Sequence, residues 1–147
     1  MTMTQKGQVD YWLKLSNNSL LDMRAALRSG RRVNAVFCGH LALEKMLKAL
    51  CSARKIPASD IWGHNLFKLA NMIGLWDTLS STQQIELTTI TSFNLEARYE
   101  NYKMQFSRIC TKSYAKKWVD VIEKWCAELK PVVLEERTLL PNNTPAV

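Results

Sequence analysis

One segment limits the fold more than any other. From Val33 to Lys55 the chain holds no proline and a single glycine, Gly39, before Pro57 forbids continuation. At about 100° per residue, a helix here spreads Val36, Phe37, Leu41, Leu43, Met46, Leu47 and Leu50 around most of its circumference and leaves a narrow polar sector. Such a helix belongs at the centre of a bundle. The polar sector is ordered: His40, Glu44 and Lys48 follow one another at four-residue steps on one face, with Lys45 beside them.

The flanking segments supply the neighbours that a central helix needs. Trp12, Leu15, Leu20, Met23, Ala26 and Leu27 recur at three- and four-residue steps and predict a helix from Asp10 to Arg28, ended by Ser29-Gly30. His64-Asn65 can cap a short helix that runs to Ile73 and stops at Gly74. Ser80-Ser81-Thr82 precedes Ile85, Leu87, Ile90 and Phe93 and predicts another. Tyr114, Trp118, Val121, Ile122, Trp125 and Leu129 form a continuous stripe from Thr111 to Lys130, where Pro131 is expected to close the helix. Residues 94–110 show no clean period. Five glycines and four prolines are few for an all-β chain with many tight turns. The expected architecture is all-α, an up-down bundle of about five helices over residues 9–130, with residues 1–8 and 135–147 as flexible ends.

Composition narrows the functional classes. The first eight residues lack the apolar core of a secretory signal, and no stretch approaches the ~18 apolar residues of a membrane span, so a cytoplasmic protein without membrane contact is expected. Cys38, Cys51, Cys110 and Cys126 form no Cys-x-x-Cys pair, and two histidines cannot complete a zinc signature; free thiols, no metal and no cofactor are expected. No glycine-rich phosphate loop, nucleophile elbow or paired acidic site occurs. A formal charge of +7 makes an anionic partner plausible. The window containing Arg98, Lys103, Arg108, Lys112, Lys116 and Lys117 holds, up to Lys117, one acid, Glu100, and so is the best anion-binding candidate. Within it Arg98-Tyr99, Tyr102 and Phe106 interleave cations with aromatics, which suits phosphate pairing and base stacking. The alternative is that Arg98-Tyr99 anchors its connection to the bundle by hydrogen bonds and ring burial. His40 likewise is either a ligand contact or a buried histidine bonded to Glu44 or to backbone.

Three short motifs occur in one order: His40-Leu41-Ala42-Leu43-Glu44-Lys45, then His64-Asn65-Leu66, then Ala97-Arg98-Tyr99. The first resembles the His-Gln-Ala-x-Glu-Lys helix of HEPN domains, helical modules named for their occurrence in higher eukaryotes and prokaryotes and often linked to nucleotidyltransferases. The second resembles that family's His-Asp-Leu helix start and the third its Ala-Arg-Tyr-Pro segment; Asp10-Tyr11-Trp12 and the turn at Gly30 fit as well. The sequence departs from the pattern at Leu41, where the family carries Gln, and at Glu100, where it carries Pro. The resemblance implies a helical bundle that forms homodimers and binds nucleotide or RNA, with a small nucleotidyltransferase as partner. With 147 residues there is no room here for that second domain, so the partner is expected to be separately encoded. His40, Glu44, Lys45, Lys48 and His64 join Arg98, Tyr99 and the basic window as ligand-binding candidates.

Many HEPN proteins carry a metal-independent ribonuclease motif, an Arg followed by a His with four to six residues between them. Here Arg32 precedes His40 with seven residues between, and Arg54 precedes His64 with nine. The arrangement is absent, so a binding module is expected rather than an enzyme. A displaced ribonuclease site using His40 and Arg98 is the alternative, and a purely structural dimerisation domain is a third.

Overall fold

A computed structural model describes residues 3–147. Among them are six α-helices: α1 (Gln5–Arg28), α2 (Arg32–Ala53), α3 (Leu66–Met72), α4 (Ser81–Thr91), α5 (Glu100–Ile109) and α6 (Lys112–Thr138). Short 3-10 turns at Ala58–Asp60, Trp76–Thr78 and Leu95–Ala97 connect them, and the described residues contain no strand beyond one isolated bridge between Thr4 and Pro145. The all-α bundle read from the sequence is what the chain forms. No helix among the described residues is long and apolar enough to cross a membrane.

α2 is the central helix. It packs along α1 and α6 and touches α3 and α4, and Ala35, Val36, Ala42, Leu43, Leu47, Ala49 and Cys51 are wholly buried. Close packing requires a small residue where three helices meet: a Cβ on Gly39 would lie 2.6 Å from Cδ1 of Ile122 and 2.9 Å from Sδ of Met23. Ser16 Oγ donates to the Ala42 carbonyl at 2.8 Å, a buried polar contact between α1 and α2. α2 ends in a Schellman turn, with Lys55 N–H donating to Ser52 O and Ile56 N–H to Cys51 O. Its left-handed position, φ 64°, is held by Lys55 where glycine is usual.

The caps are encoded locally. Thr4 accepts from Gly7 N–H and starts α1 earlier than the apolar period alone indicates. Asn65 caps α3, Ser80 and Gln83 form a capping box on α4, and Thr111 caps α6.

The structure supplies one element that the sequence leaves open and overturns one expectation. The unpatterned stretch 94–110 is a 3-10 turn followed by a sixth helix, α5, whose Phe106 is buried against Phe93. Pro131 does not close α6, which continues to Thr138. A proline inside a helix removes the N–H that would serve the carbonyl four residues earlier, here that of the exposed Ala127. Beyond it the helix is held by side chains. Arg54 clasps Glu136 at 2.7 and 2.9 Å, Arg137 clasps Asp10 at 2.6 and 2.7 Å, and Val133 is wholly buried.

Residues 135–147, expected to be flexible, are therefore partly helical, and the rest lies along the chain's beginning. Gln5 N–H donates to Thr144 O, Ala146 N–H to Met3 O and Ala58 N–H to Val147 O, while Leu140 is buried. Of the expected flexible stretch 1–8, residues 1 and 2 lie outside the described residues, and Gln5 is buried with its amide donating to Ser52 O.

Candidate functional site

The polar sector of α2 meets the connection that precedes α3. His40, Glu44 and Lys48 are buried, at 0, 2 and 6% exposure. Buried charge is tolerated only when paired, and Glu44 is paired on both oxygens. Oε2 lies 3.2 Å from Lys48 Nζ, and Oε1 lies 2.7 Å from Nδ1 of His64. Trp12 stands 5.1 Å from the Lys48 ammonium and closes that end.

His40 Nε2 is 3.3 Å from the His64 carbonyl, which can only accept, so that nitrogen carries the proton; Nδ1 has no partner. Burial holds the His40 imidazole below its ordinary value, and the weaker influences of the His64 carbonyl and Glu44 oppose this. A neutral, enclosed His40 presents no proton to solvent. His64 differs: its side chain is 58% exposed, with Nδ1 turned to Glu44. Lys45, expected beside this line, instead reaches Ser19 Oγ at 3.1 Å and stands apart from it.

The second group lies on α5, α6 and the turn between α1 and α2. The anchoring alternative for Arg98-Tyr99 does not describe Tyr99, whose ring is 89% exposed. Tyr102 and Phe106 do the packing, in an aromatic cluster with Phe93, Tyr114 and Trp118, and Arg98 lies 5.0 Å over the Tyr102 ring. Of the basic window, Lys103 pairs with Glu100 at 3.4 Å, Lys116 with Asp120 at 2.6 Å, and Lys117 rests 5.4 Å over Trp118. Arg108 and Lys112 are exposed and make no ion pair among the described residues.

The structure brings Lys103 to two arginines that the sequence offers only as a basic turn. Arg31 and Arg32 open α2, which starts without a side-chain cap, and with Lys103 they line a cleft of about 640 Å³ that also includes Phe37, Leu95 and Glu96. Arg32 Nε donates to the Cys110 carbonyl at 2.8 Å, tying the start of α2 to the junction of α5 and α6. Phe37 joins the two groups, since it lines the cleft and stacks on His40 with ring centroids 6.3 Å apart. The one signal in the sequence for the arginines is their place immediately after Gly30, at the start of the longest apolar segment.

The four thiols are all free. Burial pushes Cys51 up to about 11 and Cys126 up to about 12, so both are inert.

Fold and site together define a class: an all-α bundle whose central helix carries a buried His-Glu-Lys line and whose cationic residues gather at one end of that helix and on the last two. The family model described as HEPN domain matches residues 9–131, and the chain belongs to the HEPN family. No curated protein and no solved structure matches it.

Proposed function

We propose that this chain is a cytoplasmic, homodimeric binding module for nucleotide or RNA that works beside a separately encoded nucleotidyltransferase. Family membership supports the general association with nucleotides or RNA. The observation that carries the anion-binding part of this reading is that Arg108, at the end of α5, and Lys112, at the start of α6, stand exposed and make no ion pair among the described residues. The apolar side chains Met104, Ile109 and Leu139, each more than half exposed, supply material for self-association. His40 weighs against the ribonuclease alternative, because a wholly buried imidazole with Nε2 committed to a carbonyl is not placed to move a proton at a phosphate.

The test is a salt titration of binding to a short single-stranded RNA and to ATP, with sedimentation of the same samples. Affinity should fall steeply with salt, and replacing Arg108, Lys112 and Lys117 by Gln should flatten the log-log slope for RNA by about 0.7 for each phosphate that is no longer neutralised. No binding by the parent at low salt defeats the proposal and leaves a structural dimerisation domain as the better description.

A further inference from the structure

From the cleft at the start of α2 we infer a site for a single 5′-phosphorylated nucleotide; this rests on the nucleotide-associated reading above and assigns it a place. Three observations converge there. The first is charge. Arg31, Arg32 and Lys103 come from two distant parts of the chain and meet at one opening; Glu96 in the lining and Glu100, 3.4 Å from Lys103, stand against them, which still leaves a cation in excess for a phosphate. Arg31 makes no side-chain hydrogen bond or ion pair among the described residues, so its guanidinium is available. Arg32 is already held through Nε by the Cys110 carbonyl, and a guanidinium so oriented loses little freedom on binding a phosphate.

The second is the wall. Phe37 and Leu95 give the cleft an apolar side on which a base can pack, and the Phe37 ring lies 6.3 Å, centroid to centroid, from that of the buried His40. The third is size. At about 640 Å³ the cleft lies within the volume range of small-molecule sites. Cations, an aromatic ring and a carboxylate, Glu96, able to accept from a sugar hydroxyl or a base amino group, all in one lining, suit one nucleotide. That nucleotide can be free or the 5′-terminal residue of an RNA.

The experiment measures binding of AMP, adenosine, inorganic phosphate, and an adenine trinucleotide with and without its 5′-phosphate. The proteins are the parent, Arg31→Gln, Lys103→Gln, Phe37→Leu and the surface variant Arg108→Gln/Lys112→Gln. Arg31 is unpartnered, so Arg31→Gln should melt as the parent does and weaken AMP about tenfold, the effect of removing one charge-assisted hydrogen bond. Phe37→Leu should weaken AMP while leaving inorganic phosphate unchanged. Tight binding of AMP supports a free nucleotide as the source, and binding of the phosphorylated trinucleotide alone supports an RNA end. Equal affinity of parent, Arg31→Gln and Lys103→Gln for AMP and for the phosphorylated trinucleotide overturns the inference. If the surface variant still loses affinity for longer RNA, the wider functional reading survives that outcome; if the parent binds none of the probes, both fall.

Discussion

Oε1 of Glu44 lies 2.7 Å from Nδ1 of His64, a contact between a carboxylate buried on the central helix and a histidine most of whose side chain is in solvent. The pair pins the connection before α3 to α2, and Lys48, 3.2 Å from the other oxygen, completes the neutralisation of Glu44. Replacing Glu44 by Ala strands the Lys48 ammonium, whose side chain is 8% exposed, and should cost about 3–5 kcal/mol. Changing both, Glu44→Leu with Lys48→Met, removes the stranded charge and should restore most of that stability. Denaturant unfolding of the two variants checks this, and a double variant no more stable than Glu44→Ala contradicts it.

Acid should act through His40. Its folded value is below the ordinary 6.5 because burial disfavours the imidazolium, so the unfolded chain binds the extra proton first. The stability contributed by neutral His40 is complete above about pH 6.5 and is lost as pH falls through the lowered value. Glu44, Lys48 and His64 face the ring and remain in the variant, so comparison with His40→Phe isolates the effect. As pH falls below about 6.5 the parent should lose stability faster than His40→Phe, by up to about 1.4 kcal/mol per pH unit. Parallel stability curves for the two proteins would rule out this role.

Lys55 occupies a left-handed position with φ 64° and is exposed. A β-carbon there is strained where glycine is not, and Lys55→Gly should raise stability by about 0.5–1 kcal/mol despite the added freedom of the unfolded chain. A thermal melt showing Lys55→Gly below the parent contradicts the assignment of the Schellman turn.

Gly39 is the reverse case. Helix propensity favours alanine by roughly 0.8–1.0 kcal/mol, but the new methyl would meet Ile122 at 2.6 Å and Met23 at 2.9 Å, and overpacking costs about 1–3 kcal/mol. Gly39→Ala should therefore lower the melting temperature slightly and Gly39→Val markedly. If Gly39→Val melts with the parent, α1, α2 and α6 are not packed as closely as described.

How much the sequence shows depends on whether the cause is local. α2 and the part of α6 before Pro131 are legible because a period of 3.6 residues repeats along them. α5 is not, because ten residues with one buried side chain, Phe106, carry too few repeats. A stop at Pro131 is a sound local inference. It fails because Arg54 and Asp10, from α2 and α1, hold Glu136 and Arg137 and the core takes up Val133, contacts made by segments distant in the sequence. In the site, the four-residue steps of His40, Glu44 and Lys48 are local and therefore legible. The approach of His64 to Glu44, and of Lys103 to Arg31 and Arg32, is made by the packing of distant segments.

The clasp between residues 3–10 and 136–147 also fixes an order of events. A chain is made from its N-terminus, so α1 and α2 emerge together while Asp10, Arg54 and the backbone of residues 3–5 still wait for partners that come last. Until then the nascent hairpin exposes the apolar faces that α6 will cover. A translation product that stops short of Val133 would keep every residue of the His40 line and of the cleft, yet would leave Asp10 and Arg54 without the partners that hold the two ends together.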